Sequence, residues 1–375
     1  MGQTILNASS DYRELDKWFQ KNNLNKILLV CDVSLQYLKI KKYFDDLSDR
    51  IGVSVVKFND FQPNPLYASV VKGVNTFRNE KCQAIVSVGG GSAIDVAKCI
   101  KLYSNMEPDD GSEEKNYLNQ KIVPNNTPLL AIPTTAGTGS EATRFAVIYY
   151  KDVKQSVTDN SIIPDTVLLD SSVLETLPIY QKKSTMLDAL CHAIESFWSV
   201  NSTEGSKAYS AASIKSILEN MDRYLANDKS ANECMLIAAY TSGKAINITQ
   251  TTAGHAMCYK ITSLYGIAHG HAAAMVDVKL FPWMIKNIDK CIDSRGREYL
   301  EETFRQLAGI MGCETAEKAA AKLQSLYDCL DLEKPHPQVH DYEVLTTSVN
   351  PVRLKNNPVR LDVESIDTLY HEIFG

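Results

Sequence analysis

Four short apolar runs, each separated from the next by helical or polar sequence, constrain this fold more than any other feature. Lys26–Cys31 (KILLVC), Ile51–Phe58 (IGVSVVKF), Ala84–Val88 (AIVSV) and Pro128–Pro133 (PLLAIP) read as buried strands. Between them, segments such as Leu66–Asn79 repeat apolar residues at helical spacing. Strands alternating with helices predict a parallel sheet covered on both faces. From about Thr176 the strand signal fades. Thr185–Val200, Ser206–Leu225, Ala231–Asn247, Tyr299–Met311 and Thr315–Leu330 carry helical periodicity instead. The expected architecture is an α/β domain over residues 1-178 and an all-α domain over 179-375, with the polar Asn105–Gln120 as a surface loop.

A chain of 375 residues is long enough for two domains with their own cores. Its 44% hydrophobic and 22% charged content is that of an ordinary globular protein. The net charge of −6, without a long basic run, gives nucleic-acid binding no electrostatic support. No stretch approaches a membrane span, and the N-terminus has no apolar core of signal-peptide type. Nine scattered cysteines without a C-x-x-C pair fit a reducing, cytoplasmic setting.

Gly89, Gly90, Gly91 and Ser92 follow the third run and open a helix (GGGSAIDVAK). Glycines let backbone amides approach a phosphate, and the helix N-terminus favours an anion. Ser92 and Asp95 have capping-box-like spacing, with Asp in place of Glu. The loop is neither a P-loop nor the G-x-G-x-x-G fingerprint. A second loop, Pro133–Glu141 (PTTAGTGSE), follows the fourth run, and its hydroxyls suit a diphosphate, a ribose or a nicotinamide. Two such loops at the carboxyl ends of parallel strands point to a dinucleotide. Asp32, ending the first run, could bond a ribose hydroxyl and repel a 2′-phosphate, which favours NADH over NADPH; its plainer reading is a turn former.

Asp188 and His192 stand four residues apart in LDALCHAIES, a stretch without a helix breaker, so both leave one helical face. His255 (TTAGHAMCY) and His269 (YGIAHGHAAAM) lie fourteen residues apart in a second, largely helical stretch. A D-x-x-x-H pair alone is equally a surface pair or a core hydrogen bond. Here, however, its neighbours Leu187, Ala189, Leu190, Ala193 and Ile194 are small or apolar. One carboxylate and three imidazoles suit Fe²⁺ or Zn²⁺ better than Mg²⁺ or Ca²⁺. Such a set leaves a coordination position open for chemistry. Cys191 and Cys258, beside these positions, read as packing residues.

GGGSAIDVAK, PTTAGTGSE, the D-x-x-x-H pair and the later H…HG pair, in this order, resemble the iron-containing (group III) alcohol dehydrogenases. The resemblance covers nearly the whole chain, including Pro63-Asn64-Pro65 and Asn356-Asn357-Pro358. It implies a Rossmann-like dinucleotide-binding domain and a helical metal-binding domain, the architecture shared with dehydroquinate synthase. It also implies NAD(P)-linked interconversion of alcohols and aldehydes with Fe²⁺ or Zn²⁺, in a homodimer or larger assembly. Carried over by residue, Asp188, His192, His255 and His269 would hold the metal. Gly89, Gly90, Gly91, Ser92, Thr134, Thr135 and Thr138 would line the cofactor, with Asp32, Asn64, Asp95 and Lys154 as neighbours.

Many family members carry a His, a candidate proton relay, where this chain has Tyr259. Imidazole and phenol differ in pKa by several units, so the relay is open. The stretch SGKAINITQTTAGHAMCYKITSLYGIAHGHAAAM more specifically resembles the phosphonoacetaldehyde reductases within that family, which form 2-hydroxyethylphosphonate in phosphonate biosynthesis. A phosphonate needs cationic partners, for which Arg144, Lys244 and Lys260 are the candidates, and His271 is a further candidate for substrate contact. Lactaldehyde, succinic semialdehyde or simple primary alcohols are rival substrates. A dehydroquinate synthase-like lyase is a rival class, but its ligand pattern has Glu where this chain has Asp188.

Overall fold

The computed structural model describes residues 2–107, 117–151 and 153–375; residues 108–116, the middle of the stretch read as a surface loop, lie outside the described residues. The chain divides into two compact units. The first comprises Met1–Thr135 and Gly139–Leu177, and the second Ala136–Thr138 and Pro178–Gly375.

Along the first unit run β1 (Thr4–Asn7), α1 (Arg13–Lys21), β2 (Lys26–Cys31), α2 (Ile40–Asp45), α3 (Leu47–Ile51) and β3 (Ser54–Phe58). They are followed by α4 (Tyr67–Asn79), β4 (Ala84–Gly89), α5 (Gly91–Ser104), β5 (Leu129–Pro133), β6 (Phe145–Tyr150), β7 (Val153–Thr158) and β8 (Thr166–Leu169). Six strands pair in parallel in the order β1-β8-β5-β4-β2-β3. Every residue of β4 and β5 is buried, which is why both read as unbroken apolar runs. Strand β3 lies on one side of β2 and β4 on the other. The chain therefore reverses direction across the sheet between β2 and β4. At such a switch point the loops part and leave room for a ligand at the carboxyl ends.

Three features differ from the expectation. The run Ile51–Phe58 is only partly strand: α3 takes Ile51, Gly52 caps it in the left-handed region (φ 74°), and β3 starts at Ser54. Strand β1 escapes notice because it has four residues on the sheet edge and is largely exposed. The antiparallel hairpin β6–β7 and the four-residue β8 also carry too short or too mixed a pattern to stand out.

The second unit is a helical bundle of α6 (Ile179–Trp198), α7 (Glu204–Leu225), α8 (Lys229–Thr249), α9 (Ala253–Tyr265) and α10 (His269–Lys286). It continues with α11 (Arg297–Ile310), α12 (Ala316–Asp328), α13 (Val339–Ser348), α14 (Pro351–Leu354) and α15 (Val363–Phe374). Thr203 and Ser206 form a capping box at the start of α7, and Asp228 caps α8. Every residue of α6 from Met186 to Trp198 is buried. A helix enclosed on all sides has no solvated face, so each polar residue on it needs a partner.

Candidate functional site

Asp188, His192 and Glu195 stand among the polar residues of the buried α6. They fall at helical positions 0, +4 and +7 and share one face. The start of α9 brings His255 and the first residue of α10 brings His269. Ligand atoms of Asp188, His255 and His269 all lie within 4.8 Å of one another. His255 Nε2 is 3.4 Å from Asp188 Oδ1. The His192 ring stacks on His255, with centroids 4.3 Å apart and planes at 16°. Its Nδ1 is buried without a hydrogen-bond partner.

Gly270 makes this convergence possible. A Cβ there would sit 2.0 Å from Ser184 O and 2.5 Å from Asp188 Cβ. Only a residue without a side chain lets the start of α10 reach α6 and put His269 beside Asp188.

Glu195, which the sequence reading passed over, organises the site. Its Oε1 accepts short hydrogen bonding from His255 Nδ1 and a 3.1 Å bond from the His255 amide. Its Oε2 accepts from the Thr252 amide and hydroxyl, both at 2.6 Å. A proton held on Nδ1 frees Nε2 to act as a ligand, the usual carboxylate–histidine support of a metal site.

Burial would lower the His255 pKa, but Glu195 and Asp188 outweigh it and hold the ring up at about 10. Burial drives His192 down to about 4 against the pull of Asp188. Burial would raise Asp188, yet the three imidazoles hold it well below the usual carboxylate range. The enclosed group thus favours positive charge among its donors. With the orphaned His192 nitrogen, that donor set fits a transition-metal cation.

Tyr259, four residues beyond His255, stacks flat on His269 with centroids 5.4 Å apart and planes at 5°. Arg353 Nη1 donates to its hydroxyl at 3.3 Å. Burial holds the phenol well above its ordinary range despite Arg353, so the hydroxyl keeps its proton.

His271 does not join this group. Its Nδ1 lies 3.3 Å from the Tyr180 hydroxyl and its Nε2 3.1 Å from the Tyr327 hydroxyl. Two residues past His269 on a helix, it points about 200° around the axis from that ligand and bridges two tyrosine hydroxyls. Of the proposed cations, Lys244 and Lys260 belong to the second unit and Arg144 to the first. Lys244 Nζ stands 4.2 Å from the Tyr209 ring centroid on the α7–α8 pair, and Arg144 packs over Phe145 in the first unit. Lys260 follows His255 by five residues, about 140° around α9.

In the first unit, Gly89 ends β4 at the switch point, where a Cβ would meet Asp32 Oδ2 at 2.8 Å. Asp32 accepts from the Ser34 amide at 2.8 Å, so the turn-forming reading applies, while its carboxylate also faces the glycine loop. Gly90 is the N-cap of α5, and no side chain caps that helix. Its first amides are thus left for a ligand, as a phosphate cradle requires. The second loop touches the first: the Thr134 amide donates to Gly89 O at 3.1 Å, and Thr135 packs against Gly90. Thr138 groups with the second unit.

The capping-box expectation for Ser92 and Asp95 fails. Asp95 instead accepts from the Ser140 hydroxyl at 2.6 Å and the Val147 amide at 2.9 Å. Lys98, buried, donates to Phe145 O at 2.7 Å and to the Ser140 and Thr143 hydroxyls at 3.0 and 3.1 Å. Asp95 and Lys98 thus lash the second loop and β6 onto α5, so Asp95 serves as a brace beneath the two glycine loops. Burial raises the Asp95 pKa, and Lys98 and, more weakly, Lys154 on β7 pull against it. Asn64 adopts the left-handed region (φ 59°), and its neighbour Pro65 accepts from the Tyr149 amide at 2.8 Å.

Residues 3–171 match the family model for iron-containing alcohol dehydrogenase, and residues 182–374 match that of the C-terminal part of the Fe-containing alcohol dehydrogenase family. The NAD-dependent methanol dehydrogenase of Bacillus methanolicus is 30% identical over 319 residues, covering 83% of this chain and 81% of its own length. The phosphonoacetaldehyde reductase of Streptomyces viridochromogenes is 29% identical over 323 residues, covering 81% and 79%. The structure of sulfoacetaldehyde reductase from Bifidobacterium kashiwanohense in complex with NAD⁺ matches with a TM-score of 0.85 at 25% identity, covering 100% of this chain and 97% of that one. With both halves matched in order, the chain is an oxidoreductase and belongs to the iron-containing alcohol dehydrogenase family.

Proposed function

We propose that the protein reduces a small aldehyde with NADH, and that this aldehyde is phosphonoacetaldehyde, giving 2-hydroxyethylphosphonate. The convergence of buried Asp188 and His255 with half-buried His269 carries the reading, because such a donor set has no structural need in a helical core. When bound, Fe²⁺ or Zn²⁺ would supply Lewis acidity at the carbonyl oxygen and NADH the hydride for its carbon. Asp188, His192, His255 and His269 would hold the metal, and Glu195 orients His255 for it. The open amides at Gly91 and Ser92 would take the diphosphate, with Thr134, Thr135 and Thr138 along the second loop and Asn64 and Lys154 nearby. The Asp32 carboxylate beside Gly89 favours NADH over NADPH. Tyr259 keeps its hydroxyl proton and covers one face of His269, which excludes water there. Nine free cysteines fit action in the cytoplasm.

Two similar proteins act, by name, on two-carbon aldehydes with anionic heads, phosphonoacetaldehyde and sulfoacetaldehyde, which supports the substrate. The test is NADH and NADPH oxidation over phosphonoacetaldehyde, lactaldehyde, succinic semialdehyde and propanal, with metal measured on the same sample. The expected result is NADH-linked turnover with kcat/KM about tenfold higher, or about 1.4 kcal/mol, on phosphonoacetaldehyde. Equal or better turnover of propanal would sink the substrate assignment, and turnover without bound metal would sink the mechanism.

A further inference from the structure

We propose that Arg353 is the residue that selects an aldehyde with an anionic head group; this rests on the reading above that such an aldehyde is the substrate. The sequence offers no spacing signal for it, since it lies almost a hundred residues past Tyr259 in the short helix α14. The fold brings the two together. Asn356 fastens the segment after α14: its Nδ2 donates to Gln250 Oε1 at 3.2 Å and to Thr251 O at 3.1 Å. Its Oδ1 accepts from Asn201 Nδ2 at 2.9 Å, and its carbonyl accepts from the Val200 amide at 3.1 Å. Gln250 and Thr251 lead directly into α9, which carries His255 and Tyr259.

Arg353 Cζ lies 5.1 Å from the Tyr259 ring centroid, and that ring is stacked on His269. A guanidinium is therefore one side chain away from the proposed metal ligands. Among the described residues no carboxylate pairs with it, although the chain carries 45 acidic and 39 basic residues. Five N–H donors project from a planar fork, and the bond to Tyr259 uses one. Such a fork matches two oxygens of a phosphonate or sulfonate, and a half-buried cation without a counter-ion is stabilised when one arrives. Lys244, in the same unit as Arg353, is instead held over the Tyr209 and Tyr240 rings.

The test uses the full-length, metal-loaded protein as wild type, Arg353→Gln and Arg353→Lys. Steady-state rates are measured on phosphonoacetaldehyde, sulfoacetaldehyde and neutral propanal, with calorimetric binding of 2-hydroxyethylphosphonate as a readout independent of turnover. In Arg353→Gln the ratio of kcat/KM for anionic over neutral aldehyde should fall about 10- to 100-fold, mainly through KM, with a similar loss of 2-hydroxyethylphosphonate affinity. Arg353→Lys should recover part of both, because it restores charge without the fork. An equal loss on all three aldehydes would mean that Arg353 only positions Tyr259, and would overturn the proposal. So would a preference for the anionic aldehydes that survives in Arg353→Gln while the wild type shows it too; that result leaves the substrate reading intact. A wild type without any anionic preference instead removes the substrate reading, and this inference with it. Circular dichroism and metal content check that each variant is folded, and Arg353→Lys carries the comparison if Arg353→Gln is not.

Discussion

His255 depends on a residue that never touches the proposed metal. Glu195 binds its Nδ1 and its amide, and so fixes both the ring tautomer and the start of α9. Replacing Glu195 with Gln keeps the shape but removes the charge that holds the Nδ1 proton. Metal affinity should drop about 10- to 100-fold, read by competition with a chelator, while the far-ultraviolet spectrum is unchanged. Unaltered affinity would show that Glu195 serves the α9 turn alone. Residue by residue, the site was legible where it was local. Asp188 and His192 were visible because helical spacing is written in the sequence, and Glu195, three residues after His192 on the same face, could have been read by the same rule. His271 was legible only as a candidate for substrate contact, since its spacing sets it apart from the ligands. The tyrosines that claim both its nitrogens, Tyr180 and Tyr327, come from distant helices that spacing cannot bring together.

Elements meet here at two tight seams, and each makes a prediction. The first is α10 against α6, where Gly270 allows near-contact with the Ser184 carbonyl. Gly270→Ala forces a Cβ onto a backbone oxygen, which neither helix can yield without moving His269 away from Asp188. Stability should fall by about 3 kcal/mol or more in urea denaturation. Bound metal should fall with it; a variant with unchanged midpoint and metal content would refute the steric account.

The second seam joins α5 to the loop after β5 through Asp95, Lys98 and Glu141. Burial raises Glu141 from its usual 4.5 to about 7, while it lowers Lys98 to about 8 against the pull of Asp95 and Glu141. Between pH 4.5 and 7 the folded chain holds a proton on Glu141 that the unfolded chain has released. The stabilisation is therefore complete below the lower value and lost as pH rises through the upper one. Relative to Glu141→Gln, which cannot ionise, the wild type should lose up to about 3 kcal/mol across that window. Urea midpoints of both proteins at pH 5 and pH 8 measure it, and parallel midpoints would exclude a raised Glu141. At this scale the buried strands β2, β4 and β5 were readable because both their faces are covered and their runs are unbroken. Strands β1 and β8 and the hairpin β6–β7 were not, since edge position and short length leave no periodic signature.

At the scale of the whole chain, two units divide the chemistry. The Gly89–Gly91 turn, with the sheet reversal between β2 and β4, belongs to the first, and the Asp188–His255–His269 cluster to the second, with which Ala136–Thr138 of the second loop also group. The order of motifs along the sequence anticipates this division: the glycine turn follows β4 in the first unit, and the D-x-x-x-H pair lies within α6 of the second. Each ligand should then stabilise mainly the unit that binds it, by about 3 kcal/mol at a hundredfold excess over its Kd. Hydrogen–deuterium exchange separates the two effects. Fe²⁺ or Zn²⁺ added to chelator-treated protein should slow exchange over residues 186–198 and 253–271, where Glu195 already links α6 to the start of α9. NADH should slow it over residues 89–104 and 129–141, where Asp95 and Lys98 tie the two loops together. Chelator treatment alone should speed exchange around His255 first, since removing the cation leaves the stacked His192 and His255 rings, whose positive charge burial opposes and Glu195 and Asp188 favour. If NADH left residues 89–104 unprotected, the glycine turn at the β2–β4 switch point would be a structural turn, and the dinucleotide would have to bind elsewhere.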